Sequence, residues 1–169
     1  SIFLVPTKEI YNKMMQNRWI NNVRIKNDYK NSLKITVEEE IPLGIYVNDN
    51  KKILFSYNLL ILGILENENQ FSKLTKFYGE NSIINSKKLF AELNNSFRSQ
   101  ILSAIFIKNR RWNIQLDNLI ILLLPEDNIK DALLRYKKIY DNFSNKDLKD
   151  VKTIDLRFKH RAIIKYNNT

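Results

Sequence analysis

The chain has 169 residues, which is the length of one domain or of two small ones. Hydrophobic residues make up 44% of it and aromatic residues 11%, which is enough for a core and excludes a disordered chain. The formal net charge is +10, there is no Cys, and there is one His and three Gly. This inventory excludes disulfides, thiolate zinc sites, cysteine nucleophiles and Gly-rich phosphate loops.

The positive charge is weak evidence for nucleic-acid binding. Ile and Asn each occur 23 times and Lys 20 times, whereas Ala occurs four times. An AT-rich genome produces this bias at tolerant surface positions, and much of the charge then has no functional meaning. A basic nucleic-acid-binding domain stays open as an alternative.

The first predicted elements are a helix and a β-hairpin. A helix begins after Pro6, with Thr7 as the candidate N-cap, and its apolar residues lie on one stripe. Apolar and polar residues then alternate around Val23 and around Ile35, on either side of a polar turn at 27–32. This alternation predicts a hairpin with one buried face.

A domain junction is predicted just after the hairpin. Glu38, Glu39 and Glu40 alternate between the two faces of a strand, so they cannot converge on one metal ion, and a solvated strand end is expected. Pro42 is expected to stop regular pairing. We therefore divide the chain into residues 1–43 and 44–169.

The second part is predicted to alternate between strands and helices. Strands are expected at 45–47 and 53–55, a buried strand at 59–65, an irregular segment at 74–79, and a helix from Ser86 to about Ser99. Further strands are expected at 101–107, 111–116 and 119–124, followed by a helix from Pro125 to Phe143. The chain is expected to close with strands at 151–158 and 162–166 around a turn at Lys159, His160 and Arg161.

Two blocks of residues resemble a known family. The first block runs Trp19-Ile20-x-x-Val23-x-Ile25 and then Leu33-x-Ile35-x-Val37-x-Glu39-x-x-Pro42. The second runs Arg110-Arg111-Trp112-x-Ile114-x-Leu116, Leu124-Pro125-Glu126, Ala132-Leu133 and Ile154-Asp155-Leu156-Arg157-Phe158. In this order they resemble the end of the POTRA domain and the β domain of the bacterial division family FtsQ/DivIB, although that family usually has a Gly in the final turn.

The resemblance implies an α+β fold. Residues 1–43 would be the C-terminal part of a POTRA module, a helix plus a hairpin. Residues 44–169 would be a mostly antiparallel β-sheet domain backed by helices. Because the chain opens at Ser1 without a Met, we expect a fragment of a longer protein. The resemblance implies a single transmembrane helix upstream of this fragment.

The resemblance also implies a function. The family is a non-enzymatic, periplasmic scaffold of the division complex at the inner membrane, and it binds the partners FtsB and FtsL. The partner strand would add to the last strand of the chain. No metal, nucleotide or covalent cofactor is implied.

The last strand is the candidate binding site. We expect no later element to cover residues 162–166. A free edge either accepts a partner strand or is protected by charged residues against aggregation. Without the family resemblance, the Lys and Arg residues around this strand favour protection against aggregation. The resemblance favours the binding of a partner strand. The candidate partner-binding residues are Arg157, Phe158, His160, Ile164, Lys165, Tyr166, Arg110 and Arg111.

Other interpretations remain for parts of this site. Asp155 and Arg157 are two residues apart on one strand face and can simply pair with each other. An enzyme is not expected, because the only His, His160, has no nucleophile or orienting group near it in the sequence. A POTRA-type module for assembly or secretion is a further alternative, but it would continue into more POTRA copies rather than into an Arg-Arg-Trp block.

Overall fold

The computed structural model describes residues 5–27, 32–49, 51–67 and 69–167. Its helices are α1 (Thr7–Met15), α2 (Ser82–Ala91), α3 (Asn95–Arg98), α4 (Ile129–Asn142) and α5 (Asn145–Asp150), with a 3-10 turn at Asn69–Phe71. Its strands are β1 (Ile20–Asn27), β2 (Leu33–Glu39), β3 (Pro42–Asn48), β4 (Lys51–Ser56), β5 (Ile61–Ile64), β6 (Lys76–Tyr78), β7 (Ile101–Ile107), β8 (Arg111–Leu116), β9 (Ile121–Leu123), β10 (Val151–Asp155) and β11 (Ile163–Tyr166).

The described strands form two sheets. Strands β1 and β2 pair with each other alone, and the other nine form one sheet in the order β11-β10-β9-β8-β7-β6-β3-β4-β5. In the larger sheet β6 is parallel to both its neighbours and β9 is parallel to β10, while the five other neighbouring pairs are antiparallel. This mostly antiparallel sheet with helices confirms the predicted α+β class.

The main core lies between the large sheet and the helices. Phe77 of β6 is fully buried at its centre, with ring centroids 5.4 Å from Phe55, 5.5 Å from Phe90 and 5.9 Å from Trp112. A Cβ on Gly44 would collide with the Phe77 ring, so β3 needs glycine at this position. Trp112 belongs to this core, as its hydrophobic strand context predicts.

Helix α4 covers the half of this core near β9 and β10. Ile129, Ala132 and Tyr136 are buried at helical spacing and form the packed stripe. The Tyr136 ring lies 5.8 Å from that of Phe97, and burial of its hydroxyl raises the pKa of Tyr136 to about 12. These buried residues therefore hold α4 against the sheet. The rotation of the helix that results determines which polar residues of α4 reach the sheet edge.

A smaller core lies on the other face of the sheet. Ile45, Leu54 and Leu62 are buried there, because successive strand residues point to opposite faces. Trp19 and Phe71 pack over them, with their rings stacked at a centroid distance of 6.2 Å. This contact attaches the segment between α1 and β1 to the large sheet.

The hairpin of β1 and β2 forms as predicted, but its apolar face is not buried as predicted. Val23 is buried, whereas Ile35 is 41% exposed and Val37 is 39% exposed. The two-residue period correctly predicted both strands. Burial also requires a covering layer, and the described residues provide none over β2. The predicted turn at 27–32 lies mostly outside the described residues.

Two strand predictions in the middle of the chain are wrong. The segment at 74–79, expected to be irregular, contains β6, which lies in the centre of the sheet between β3 and β7. The apolar run at 59–65, expected to be a buried strand, contains β5 at the sheet edge, where Ile61 is 45% and Ile64 is 68% exposed. Strands of three or four residues are too short to show a period, and their neighbours decide their place.

Several predicted boundaries also move. Helix α2 begins at Ser82 rather than at Ser86, and α4 begins at Ile129 rather than at Pro125. Thr7 is the first helical residue of α1 rather than its N-cap. Strand β10 ends at Asp155 rather than at Phe158, and α5 was not predicted.

The junction between the two sheets differs from the expectation as well. Pro42 does not stop pairing: it is the first residue of β3 and is paired with Ser56 of β4, a strand position that proline tolerates. Glu40 was expected in a solvated strand end, but it is only 4% exposed. Its burial results from contacts with residues 18 positions away, which no local pattern reveals.

Candidate partner-binding edge

Strand β11 forms one edge of the nine-stranded sheet. Among the described strands it pairs only with β10, in antiparallel register, with Ile164 opposite Ile154 and Ile163 opposite Asp155. The N–H of Asn167 donates to the carbonyl of Asp150 at 2.7 Å. Backbone groups alternate in direction along an antiparallel strand, so those of Ile164 and Tyr166 face the free side.

The side chains of β11 divide between the two faces of the sheet. Ile164 is half-buried and packs against the main core. Ile163 and Lys165 lie on the opposite face, where Ile163 is 39% exposed. Tyr166, at the end of the strand, is 51% exposed. The edge thus combines a backbone with one free side, an aromatic side chain and a cation.

The connection between β10 and β11 is longer than the predicted tight turn. It runs through residues 156–162, and none of Lys159, His160 and Arg161 has a positive φ angle. The absence of a Gly from this turn is therefore without steric consequence, because the longer connection needs no left-handed residue.

Arg135 of α4 holds this connection in place. Its guanidinium donates to the carbonyl of Leu156 at 2.8 Å and to the carbonyl of Phe158 at 3.2 Å. Leu156 itself is fully buried, and its N–H donates to the carbonyl of Leu123 at 2.9 Å. Sequence analysis missed Arg135, because it has no sequence signal beyond its position next to the buried Tyr136.

Arg157 is paired with Asp155, as the alternative interpretation of these two residues predicts. The Arg157 Nε donates to Asp155 Oδ1 at 2.8 Å, and the Arg157 N–H donates to the same oxygen at 3.1 Å. The side-chain hydrogen bond from Arg157 lowers the pKa of the nearly buried Asp155, against the opposing effect of its burial. The same bond raises the pKa of Arg157.

Phe158 and Arg161 form a second contact in the connection. The guanidinium of Arg161 lies 4.6 Å from the centroid of the Phe158 ring, and Phe158 is 37% exposed. His160 is exposed between them. Phe158 and His160 therefore lie in the connection at one end of β11, whereas Tyr166 lies at the other end of the strand, opposite Val151.

Arg110 and Arg111 lie farther away. Arg111 begins β8, three strands from β11, which is roughly 14 Å at the usual strand spacing. Its charge also lowers the pKa of Asp155, and its buried Nε has no hydrogen-bond acceptor among the described residues. Arg110 is exposed and forms an ion pair with Glu126, with Nε and Oε2 3.3 Å apart.

The described residues contain neither a metal-binding group nor a membrane-spanning helix. No group of three or more His, Cys, Asp or Glu side chains is arranged to hold a metal ion in this part of the chain. None of the helices at 5–27, 32–49, 51–67 and 69–167 is both long and apolar enough to span a bilayer.

These observations define an α+β protein whose mostly antiparallel sheet ends in a free, cationic strand. A sequence model described as "Cell division protein FtsQ/DivIB, C-terminal" matches residues 47–157, which is more than half of the chain. The chain belongs to the FtsQ/DivIB family of cell-division proteins.

Curated relatives extend the similarity over nearly the whole chain. It is 27% identical to the cell division protein FtsQ of Rhizobium radiobacter over 155 residues, covering 90% of this chain and 72% of that protein. It is 30% identical to the FtsQ of Rickettsia bellii over 166 residues, covering 97% of this chain and 61% of that protein. Against the FtsQ of Agrobacterium fabrum it spans 48% of that protein's length, and against that of Rickettsia felis 61%.

Proposed function

We propose that this chain is a non-enzymatic, periplasmic scaffold of the division complex that recruits its partners by β-strand addition at β11. The observation that carries the proposal is the position of β11, which pairs with β10 on one side only and exposes Tyr166 at its end. Main-chain hydrogen bonds to the free side would supply affinity, and the side-chain pattern would supply selectivity. The proposed partners are FtsB and FtsL.

The charge near this edge favours an acidic partner segment. Lys159, Arg161 and Lys165 are exposed. Arg157 contributes less, because Asp155 already neutralises it. Complementary charge increases the rate of encounter, while the exposed aromatic side chains give anchors of the kind enriched at interface centres.

The position of Arg111 bears on how much of a partner could contact this chain. Because β10 and β9 separate β11 from β8, a strand added to β11 cannot itself contact Arg111. A partner carboxylate would reach it only from a segment that leaves the added strand and crosses the end of the sheet. We expect Arg111 to select partners with a second, separate acidic segment.

The rest of the proposal concerns placement in the cell. We place the chain in the periplasm, as part of an inner-membrane protein with a single membrane span outside these residues. Residues 1–43 are proposed as the C-terminal part of a POTRA domain and residues 44–169 as the β domain. The separate pairing of β1 with β2 supports this division.

The decisive experiment is calorimetry with the periplasmic segment of FtsB from the same bacterium. Tyr166→Ala and Phe158→Ala should each weaken binding by about 30-fold, the effect of losing an aromatic hot spot worth about 2 kcal/mol. Both side chains are substantially exposed, so the melting temperature should stay nearly unchanged.

A matched control tests whether the effect is local. Tyr11 is a similarly exposed tyrosine, 39% accessible, on α1. Tyr11→Ala should bind FtsB as tightly as the unaltered chain. Unaltered affinity in both the Tyr166 and the Phe158 variants would remove the assignment of the site.

A further inference from the structure

The opposite edge of the sheet, β5, has a different surface. It pairs only with β4, so its other side is free in the described structure. Leu60, Ile61 and Ile64 are 50%, 45% and 68% exposed. No charged residue occurs between positions 59 and 65, so the edge lacks the Lys or Glu residues that usually prevent pairing with another chain.

The backbone of β5 is available on this side. The N–H of Leu65 donates to the carbonyl of Lys52 at 2.8 Å, so Leu65 faces β4. The backbone groups of the preceding Ile64 therefore face away from β4. A Cβ added to Gly63 would have no atom within 4 Å, so the face of the strand at this position is uncovered as well.

A cleft of about 610 Å³ adjoins the beginning of this edge. Leu59, Leu60 and Ile61 line it on the side of the sheet, and the segment between α1 and β1 lines it on the other side. Glu40 lies in its wall. The cleft is therefore continuous with the free edge and combines apolar side chains with one carboxylate.

The carboxylate of Glu40 is buried, and no positive partner for it occurs among the described residues. Glu40 is 4% exposed, and both its oxygens accept hydrogen bonds from the neutral side-chain amide of Asn58, at 3.0 and 3.2 Å. Arg18 lines the same cleft, but within the described residues no Lys or Arg forms an ion pair with Glu40. A buried carboxylate without a countercharge favours the arrival of a cation.

We propose that the β5 edge and this cleft bind an extended segment of another polypeptide that carries an Arg or Lys beside apolar residues. The segment adds as a strand to β5, and its cationic side chain enters the cleft and pairs with Glu40. A second copy of this chain fits less well: antiparallel pairing of two β5 strands would bring no cation from 59–65 to Glu40.

The test uses two sets of capped heptapeptides of alternating Thr and Val. One set has a single Arg moved along the peptide, and the other has Gln in its place. Titration into the isotope-labelled chain is followed by amide chemical shifts. The best Arg peptide should shift the amides of residues 60–65 and bind at least tenfold more tightly than its Gln counterpart.

Variants separate the parts of the site. Glu40→Gln keeps one acceptor oxygen for the Asn58 amide and removes the negative charge, so it should remove the tenfold preference for Arg. Ile64→Pro removes only a backbone donor that faces away from β4, and it should abolish the shifts with both peptides. Circular dichroism checks that each variant is folded.

A control at the other edge keeps this inference distinct from the proposed function. Tyr166→Pro should leave peptide binding at 60–65 unchanged, even though it blocks β11. The proposal would be overturned by equal affinity for the Arg and Gln peptides or by amide shifts confined to 163–166. It would also be overturned if the chain without peptide sediments as a dimer that pairs through β5.

Discussion

The two edges of the nine-stranded sheet differ in charge, and only β11 has the charged residues that usually prevent pairing with another chain. Strand β11 is flanked by exposed cations, and an ion pair and the Arg135 hydrogen bonds hold the connection that precedes it. Strand β5 has no charged residue and exposes Ile61 and Ile64. A cationic edge repels a second copy of this basic chain, whereas a neutral, apolar edge does not.

The contrast shows that strand position and selectivity are separate properties. Both strands offer backbone groups on one side, which alone would accept almost any extended segment. At β11 the surrounding Lys and Arg favour an acidic partner, and at β5 the buried Glu40 favours a basic one. The two proposals therefore assign different kinds of segment to the two edges of one sheet.

The largest expected effect comes from the centre of the sheet, which supports both edges. Phe77→Ala removes a fully buried ring in contact with Phe55, Phe90 and Trp112, and should lower the free energy of unfolding by about 3–5 kcal/mol. Urea unfolding measures the loss. Amide hydrogen exchange should accelerate at β5 and β11 alike, and faster exchange at one edge alone would contradict a shared core.

The second effect is specific to the β11 side. Asp155→Asn breaks the bond to Arg157 and should cost about 1–3 kcal/mol at neutral pH. Because folding lowers the pKa of Asp155, its contribution is present above the unfolded value of about 4 and is lost as the pH falls through the folded value.

The pH dependence gives the measurement and its control. Urea unfolding between pH 7 and pH 3 should show that the free energy of unfolding falls less steeply with decreasing pH in Asp155→Asn than in the unaltered chain. Glu126→Gln, at the exposed ion pair with Arg110, should change stability by no more than about 0.5 kcal/mol. An identical acid profile in the Asp155 variant would show that Arg157 does not stabilise the folded state through this carboxylate.

A smaller pair of effects compares the edges directly. Ile164→Thr should cost about 1 kcal/mol, because Ile164 packs on the main core, whereas Ile64→Thr should stay within about 0.5 kcal/mol. Thermal unfolding of the two variants under one condition checks the difference. Equal losses would mean that β5 is packed more tightly than its exposure indicates.

The smallest expected effect concerns association at the cationic edge. The double variant Arg161→Gln and Lys165→Gln should slow association with the proposed FtsB segment by about threefold at low salt and should reduce the salt dependence of the association rate. Stopped-flow kinetics measures the rate. The exposed pair Lys87 and Lys88 on α2 gives a control with the same change in net charge, and an equal slowing there would assign the effect to overall charge.

Much of the fold could be predicted because its elements have local signals. The alternation around Val23 and Ile35 and the apolar strands at 101–107 and 111–116 predicted strands that the structure contains. Strand β11 lies at an edge of the sheet among the described strands. Of the predicted site residues, those at 157–166 lie on β11 or on the connection before it, whereas Arg111 lies three strands away.

By itself, the sequence determined which segments alternate between apolar and polar residues and where turns interrupt them. Only the tertiary structure decided that β6 lies in the centre, that β5 lies at an edge, that Glu40 is buried and that Arg135 holds the connection before β11. The period of apolar residues indicates the local conformation over a few residues. Strand order and burial depend on pairing between segments that are distant in the chain.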